Sequence, residues 1–592
     1  MVEDSESQSA YGATIIDNPL ALISLEQLYS IVKEFHERTE LKDVVEMEVL
    51  FRGAQLARDS DHYPSSLTPS EENAILHEKK ERNARWFQPP EGLSVTIMAA
   101  AFAAITQGWQ QSSINASQLF GWQEDLGVNA DQQYLIGALN AAPWISGSLI
   151  GAWVSDPLQE TFLGRRPALF IAAIFCVACV IGSKASIAPV FAAEAAPDRY
   201  RGRVLMIWQL FDAFGIFLGF VSSMIVRDNW RVLLATAIIP AVVLLCVVYI
   251  CPESPRFLIR QGRYPEAYRS LRRLRRSDIQ AARDLFSIHA QLQAETKALW
   301  NKGEEREWYE ENIYQNWIKK TRVWERMGYL AVKPRVRRAC MVASLVMATQ
   351  QLCGINVLAF YSSDLFNISD NNNDNSELQQ DNSKVQWYNF GFGLSMFLFT
   401  LIAYRYIDTR GRRFLLLISL GGMTVSLVLV SALFYVADSG VRQVLVSVFS
   451  IVVFTFFYSL GAGPIPFTLS PEVFPLCVRE VGMSFSVMVN FLGLGLLVLF
   501  VPRLTEIFGR GKRCGGNIYG GKPQDDNTSC DGQANLLFFF SGLNVLAFIL
   551  VFLLVPETNK VELERMNILF EKSTKRNIAD NIRSLHTKPG TK

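Results

Sequence analysis

Histidine is scarce in this chain and is missing from its long apolar segments. The five histidines all fall in polar stretches: His36, His62, His77, His289 and His586. Among the nine cysteines, Cys176 and Cys179 have the spacing of a metal-binding pair, but no second pair accompanies them. No nucleophile–base pair and no phosphate-binding loop is apparent. We therefore expect no metal, no cofactor and no enzymatic chemistry.

An excess of charge of either sign is also lacking. The net charge is +1, so we expect no nucleic-acid partner. The charges are nevertheless unevenly placed, because the segment from Arg256 to Arg338 holds 20 Lys/Arg and 10 Asp/Glu, a net charge of +10. Basic loops of membrane proteins are normally retained in the cytosol, which predicts a cytosolic position for this segment.

Half of the residues are apolar, and they concentrate in runs about as long as a bilayer-spanning helix. Eleven such runs occur, near residues 95–114, 134–154, 167–193, 204–226, 232–251, 339–366, 388–407, 414–436, 443–468, 481–502 and 535–555. No basic and apolar leader precedes the first run, so we expect no cleaved signal peptide. The pattern predicts an all-α polytopic protein embedded in a lipid bilayer.

Three side-chain amides lie close together in the sixth run. They belong to Gln350, Gln351 and Asn356, on either side of Gly354. An amide in hydrocarbon is costly unless it is hydrogen-bonded or faces a polar cavity. Because amides donate and accept, they suit a ligand made of hydroxyl groups. We interpret the group as a binding site at mid-membrane; hydrogen bonds to neighbouring helices are the alternative.

Charged motifs recur in the same order in both halves of the chain. The first half carries Asp156, Arg165, Arg166, Glu194, Arg201, Glu253 and Arg256, and the second half carries Asp408, Arg412, Arg413, Glu472 and Arg479, followed by Glu557. In each half a glutamate precedes an arginine by seven residues (201 − 194 = 7; 479 − 472 = 7). We expect cytosolic ion pairs that lock two related bundles together and open during alternating access. Ordinary flanking charge explains one half, but not the same order twice.

Together, the motifs DTRGRR, PESPRFL, QQLCGIN, GPIPF, PEVFPLCVR and PET resemble the sugar-porter branch of the major facilitator superfamily, with fungal sugar and polyol permeases as the nearest group. The resemblance covers roughly residues 95–565. It implies two pseudo-symmetric six-helix bundles with the substrate bound between them. The expected organisation is a partly helical cytosolic tail (1–94), an N-terminal bundle (95–251), a basic cytosolic loop (252–338), a C-terminal bundle (339–556) and a cytosolic tail (557–592).

The first half departs from this pattern because it is short. Gly164 to Glu194 spans 30 residues, whereas Gly411 to Glu472 spans 61, and the difference of 31 is about one helix plus its loop. Run 167–193 therefore fuses the third and fourth helices, which leaves about 11 spans instead of 12. Five crossings would place the basic loop outside, against the positive-inside tendency. Either this segment does not cross, or half of the molecule inserts under strain, and we hypothesise an internal deletion that impairs transport.

The resemblance also implies which residues contact the substrate. The matching positions are Gln209, Gln350, Gln351, Asn356, Phe467 and Asn490. Phe467 stands where the family often has tryptophan, and Met396 replaces an expected asparagine. Gln110 occupies the position of the titratable aspartate common in the family's symporters. Asp212 is the remaining candidate for proton coupling, with a structural carboxylate as the alternative.

The sequence signals for features on the outer face of the membrane are weaker than those described above. Asn367 and Asn527 begin N-x-S/T sequences and are candidate glycosylation sites, and Asn115 begins a third close to the membrane. Cys514 and Cys530 could form an external disulfide, with free thiols as the alternative. We expect a multi-pass protein of the plasma membrane with both termini cytosolic.

Two functions remain open at this stage. The first is transmembrane transport of a sugar or polyol by proton symport or facilitated diffusion. The second is a non-transporting sugar sensor, suggested by the N-terminal extension and the altered positions; the short C-terminal tail argues against it. The particular sugar and the oligomeric state are not encoded in any motif that we recognise.

Overall fold

The computed structural model describes residues 18–21, 23–59, 66–83, 90–117, 122–125, 127, 133–153, 165–176, 182–195, 201–226, 229–300, 309, 313–321, 323–366, 375–436, 439–509, 531–558, 569–570 and 574–583. Within these ranges the regular secondary structure is entirely helical. Helices satisfy all backbone hydrogen bonds inside one segment, which is what a chain crossing a bilayer requires. The expected all-α membrane fold is confirmed.

The helices before the central loop are α1 (Leu25–Arg38), α2 (Met47–Arg58), α3 (Pro69–Asn83), α4 (Glu91–Ser117), α5 (Gln133–Ser146, continued by a π-helical turn, Gly147–Gly151), α6 (Arg165–Cys176), α7 (Gly182–Ala195), α8 (Arg201–Ile225), α9 (Trp230–Ala235) and α10 (Ile238–Ile250). The central loop contains α11 (Pro255–Arg260), α12 (Tyr264–Leu274), α13 (Asp278–Trp300), α14 (Ile313–Lys320) and α15 (Val323–Val332).

The second half consists of α16 (Pro334–Leu352), α17 (Ile355–Phe366), α18 (Asn375–Arg410), α19 (Arg412–Val436), α20 (Ser439–Val448), α21 (Thr455–Leu460), α22 (Ile465–Val473), α23 (Arg479–Phe508), α24 (Asp531–Leu554) and α25 (Thr574–Arg583). Eight stretches in the described residues are long and apolar enough to cross a membrane as single spans. Helix α5 with its π turn contains a shorter apolar stretch, Leu135–Gly151, and α16 and α17 together cover the predicted run 339–366. The observed helices follow the predicted apolar runs closely, except in run 167–193.

Run 167–193 is divided between two short helices rather than forming one span. Helix α6 has 12 residues and α7 has 14, which correspond to about 18 and 21 Å of helix. The two helices pack against each other, and α6 also packs on α10 while α7 packs on α4 and α8. Each is shorter than the roughly 30 Å hydrocarbon layer.

Helices α4 and α8 approach closely because glycines face the partner backbone. A Cβ atom on Gly108 would lie 2.7 Å from the Ile216 nitrogen and still closer to the Asp212 carbonyl oxygen. A Cβ atom on Gly215 would lie 2.8 Å from the Ile105 Cα. Small residues of this kind let membrane helices pack backbone to backbone. This packing sets the position of the polar face of α4 relative to Asp212.

The sixth predicted run (339–366) is interrupted at Gly354. Helix α16 ends at Leu352 and α17 begins at Ile355, and Gly354 has a φ of +86°. A left-handed φ is readily adopted by glycine and rarely by other residues. The break places the amide-bearing residues Gln350, Gln351 and Asn356 on both sides of a helix end.

The N-terminal tail packs on the central loop as well as on itself. Helix α2 of the tail lies along α13. A Cβ atom on Gly53 would lie 2.8 Å from the Arg283 nitrogen, so the two backbones almost touch. The Phe35 ring contacts the rings of Tyr264 and Phe286 at centroid distances of 5.1 and 5.6 Å. The apolar stripe on α1 is therefore covered by the central loop.

Candidate functional site

The amide of Gln350 lies at the centre of a buried hydrogen-bond network in the C-terminal bundle. Its Nε2 atom donates to the carbonyl oxygen of Gly463 at 2.9 Å and to the Tyr458 hydroxyl at 3.3 Å. Its Oε1 atom accepts from Asn490 Nδ2 at 2.8 Å. Gln350 and Asn490 are thus brought together, as the sequence led us to expect. In this conformation Gln350 also makes hydrogen bonds to neighbouring helices, which is the alternative to a role in ligand binding.

A second group of amides joins the two bundles. Asn356 Nδ2 donates to Gln351 Oε1, and Gln111 Nε2 donates to Asn356 Oδ1 at 3.4 Å. Gln111 lies on α4 of the N-terminal bundle, whereas Gln351 and Asn356 belong to the C-terminal bundle. All three side chains are buried. Side-chain amides of both bundles therefore meet at the break between α16 and α17.

The aromatic part of the site also comes from both bundles. Trp208 on α8 and Phe467 on α22 are buried, with ring centroids 5.9 Å apart and the rings inclined at 36°. Gln209 is the next residue on α8 and is 3% exposed. Asp212, one turn further along α8, is 8% exposed. The structure thus places Gln209, Asp212 and Phe467 in the interior of the fold.

Sequence reasoning missed three members of this site: Gln111, Tyr458 and Trp208. Gln111 directly follows Gln110, but the sequence argument concerned only the titratable group that is lost at Gln110. Tyr458 was overlooked because an aromatic residue in an apolar run carries no distinctive pattern. Met396 is buried and apolar, as its substitution for an asparagine implied.

A contact on the side opposite the central loop closes the cleft between α4 and α17. Asn115 Nδ2 donates to the Ala359 carbonyl oxygen at 2.8 Å, and Asn115 is fully buried. This asparagine begins an N-x-S/T sequence, but its side chain is used between the bundles. The end of α4 that carries Glu91 lies at the central loop, since a Cβ atom on Gly92 would lie 2.8 Å from the Arg273 carbonyl carbon.

On the side of the central loop, four charged residues form one buried cluster, which we call the charged cluster: Arg165, Glu194, Arg260 and Glu480. Arg165 donates to Glu194 through Nε at 2.8 Å and through Nη2 at 2.6 Å. Glu480 of the C-terminal bundle accepts from both Arg165 and Arg260. Buried charges require such pairing, because removing them from water is costly. The cluster joins the N-terminal bundle, the central loop and the C-terminal bundle.

The repeated motifs make matching contacts in the two halves. Glu253 accepts from the backbone nitrogen of Arg165 at 2.9 Å, and Glu557 accepts from the backbone nitrogen of Arg412 at 3.1 Å. Arg412 also pairs with Glu472 at 3.4 Å. Arg166 and Arg413 donate to the carbonyl oxygens of Val248 and Phe552 at 3.1 and 2.7 Å.

Two members of the charged cluster, Arg260 and Glu480, were not predicted. Glu480 follows Arg479 directly, whereas Gly202 follows Arg201 in the first half, so a search for repeats cannot find it. Arg256 and Arg479 are buried close to the same face, and Arg479 donates to the Phe474 carbonyl oxygen at 3.4 Å.

Several predicted positions lie outside the described residues. They are Asp156, Asn367, Cys514, Asn527 and Cys530, and the side chains of Arg201 and Asp408 are likewise not described. Among the residues that the structure does describe, no group of three His, Cys, Asp or Glu side chains is arranged to hold a metal ion.

Comparisons with known proteins agree with this architecture. Probable polyol transporter 4 of Arabidopsis thaliana is 27% identical over 548 residues, which cover 88% of this chain and 92% of the relative. The galactose-proton symporter of Escherichia coli strain K12 is 24% identical over 493 residues, covering 80% of this chain and 90% of the relative. These relatives come from a plant and a bacterium, and the resemblance to fungal permeases stays a prediction.

Among solved structures, the proton:xylose symporter XylE bound to 6-bromo-6-deoxy-D-glucose shares the fold of this chain. Its TM-score is 0.60 at 19% identity, covering 81% of this chain and 99% of that protein. A family model described as "Sugar (and other) transporter" matches residues 179–570, that is 392 of 592 residues. The chain therefore belongs to the sugar (and other) transporter family.

Proposed function

We propose that this multi-pass membrane protein moves a sugar or a polyol across the bilayer by alternating access. The observation that carries the proposal is the amide network at the break between α16 and α17, where Gln111, Gln351 and Asn356 connect the bundles. Amides both donate and accept, and each can therefore replace water around a hydroxyl group. Named relatives that act on polyols and galactose support the same class of substrate.

The aromatic residues complete the proposed binding surface. Trp208 and Phe467 present apolar ring faces near Gln209, and the C–H face of a sugar ring packs on such surfaces. Phe467 lacks the N–H donor of an indole, so polar recognition would fall to the amides of Gln209, Gln350, Gln351, Asn356 and Asn490. This division predicts recognition of hydroxyl positions by α8, α16, α17 and α23.

Alternating access needs a barrier on each side of the cleft. On one side, Asn115 bonds the Ala359 carbonyl oxygen and Gln111 bonds Asn356. On the side of the central loop, Glu480 bonds Arg165 and Arg260 across the bundles. Breaking one set while keeping the other would expose the amides to one side at a time. The cytosolic position of the central loop and the plasma-membrane location belong to this proposal.

Proton coupling, if the chain is a symporter, would use Asp212. This carboxylate is buried on α8, one turn from Gln209, whereas Gln110 cannot titrate. Facilitated diffusion with Asp212 as a structural carboxylate is the other form of the proposal. The sensor alternative loses its main support, because α1 and α2 pack on α12 and α13 of the same chain.

Transport can be tested with purified protein in proteoliposomes. The measurement is counterflow of labelled pentoses, hexoses and polyols, with and without an imposed pH gradient. We expect saturable counterflow of at least one of them, and acceleration by the gradient only if Asp212 couples protons. Asp212→Asn should abolish the acceleration but keep the counterflow. Binding of sugar without counterflow would favour a sensor, and absence of both binding and counterflow would refute a sugar ligand.

A further inference from the structure

The side of the membrane on which each soluble segment lies can be deduced from direct contacts. Helices α1 and α2 precede the first span, and α12 and α13 follow the N-terminal bundle. They pack together through Gly53 against Arg283 and through Phe35 against Tyr264. Glu78 of α3 also accepts two hydrogen bonds from the Arg283 guanidinium, each 3.1 Å long. The N-terminal tail and the central loop therefore lie on the same side of the bilayer.

This contact requires an even number of crossings between Glu91 and Ile250. Four complete crossings are present: α4, α5 with its π turn, α8 and the pair α9–α10. Helices α6 and α7 must then contribute either two crossings or none. A crossing needs about 17 to 25 residues, so two crossings need about 34 or more, whereas residues 165–195 number only 31 (195 − 165 + 1 = 31). Two crossings are excluded by length.

The ends of the two helices confirm that they return to their starting side. Arg165 is the first residue of α6 and Glu194 is the penultimate residue of α7, and their side chains form a fully buried ion pair at 2.6 Å. Ser254, at the start of the central loop, donates to the same Glu194 at 2.6 Å. Both ends of the segment thus lie at the level of the central loop.

We infer that helices α6 and α7 are a re-entrant pair, called the hairpin below, which enters and leaves the membrane on the side of the central loop. The chain then has ten crossings, four before the loop and six after it. The basic loop and both termini share one side, in agreement with the positive-inside rule. The conflict between an odd number of spans and the charge of the loop disappears. The inference concerns topology, and it stands independently of the proposed transport activity.

The hairpin also forms the N-terminal half of the barrier at the central loop. Its two legs are joined by Arg165 and Glu194, and Arg165 pairs in turn with Glu480 of the C-terminal bundle. Helix α7 packs on α23 and α22 of that bundle as well as on α4.

The topology can be tested with inserted N-glycosylation acceptors, each in a long flexible segment that clears the membrane, in a eukaryotic host. One acceptor is placed between Cys176 and Gly182, one between Arg276 and Ser277, and a positive control between Asp125 and Gln133. We expect modification of the control alone. Modification between Arg276 and Ser277 would show an odd number of crossings, and modification between Cys176 and Gly182 would show two crossings. Either result overturns the hairpin.

Because an insertion can disturb folding, a second measurement uses single cysteines in a cysteine-free chain. Arg272→Cys lies in the central loop, where the native side chain is 55% exposed, and Asp125→Cys lies beyond the first crossing, where it is 49% exposed. In intact cells, a membrane-impermeant maleimide should label the cysteine at 125 and should label the cysteine at 272 only after permeabilisation. Labelling of both positions in intact cells would refute the shared side of tail and loop. Loss of sugar transport with this labelling pattern retained would refute the proposed function and leave the hairpin intact.

Discussion

Glu480 joins both bundles and the central loop, so its charge should decide how often the cleft opens on the loop side. Glu480→Gln keeps the size of the side chain and one acceptor oxygen but removes the charge that Arg165 and Arg260 share. Arg165 would keep Glu194, and Arg260 would keep the Leu476 carbonyl oxygen. The loss is therefore smaller than the about 3–5 kcal/mol for breaking a buried pair outright.

We expect the closed arrangement to lose roughly 2–3 kcal/mol, the contribution of one hydrogen bond to a charged group. Each 1.36 kcal/mol is a factor of about ten, so the population open toward the loop should rise about 30- to 150-fold. The assay is maleimide labelling of Met488→Cys in a cysteine-free chain. The native Met488 is covered by Trp153, whose Nε1 lies 3.0 Å from its sulfur. The labelling rate reports the open population when opening is fast.

The control is Glu506→Gln, the same exchange in an exposed ion pair with Arg503, whose side chains are 43% and 32% exposed. Exposed pairs contribute little to stability, so this variant should label at the native rate. Labelling of Glu480→Gln within threefold of the native rate would show that the charged cluster does not hold the cleft closed. An equal rise in both variants would point to general loosening of the fold.

Three further predictions concern packing, binding and pH. Gly108→Val should prevent α4 from packing on α8 and abolish a monodisperse chromatographic peak, whereas Gly542→Ala, where an added Cβ meets nothing within 4 Å, should leave the peak unchanged; equal behaviour would contradict the close approach. Gln351→Ala should weaken sugar affinity about 2- to 13-fold, as expected for one hydrogen bond, and calorimetry showing native affinity would remove Gln351 from the site. Burial lowers the pKa of His289 to about 3, against 6.5 unfolded, so the stability it contributes is complete above pH 6.5 and falls by ~2 kcal/mol on going to pH 5. Proteolysis of the tail should accelerate over that range in the native protein but not in His289→Phe, and the same acceleration in both would refute the assignment.

The sequence predicts the spans and the repeat well, because hydrophobic length and charge order are local properties. Glu253 and Glu557 lie where the repeat suggests, each accepting from an arginine backbone nitrogen of its own half. Glu480 could not be predicted, since it has no counterpart beside Arg201 and its two partners come from distant segments. Contacts between segments far apart in the chain are set by the whole fold.

The short first half is a second case in which the sequence alone does not determine the contacts between segments. Counting residues from Gly164 to Glu194 predicts that one helix and its loop are missing, and it leaves two topologies open. Only the ion pair between Arg165 and Glu194, together with the packing of the tail on α13, separates them. Apolar runs measure length, but they do not reveal a reversal of direction within the membrane.

Helix α13 contacts two parts of the molecule that we expect to move during transport. Its Glu295 accepts from the Leu476 backbone nitrogen at 2.8 Å, next to the charged cluster, while its Ala282–Arg283 segment carries α2 of the tail. A tilt of the C-terminal bundle that displaces Leu476 should therefore also displace the tail, which lies far from the amides. A fluorophore attached to α1 would therefore report each turnover of the carrier from outside its cleft.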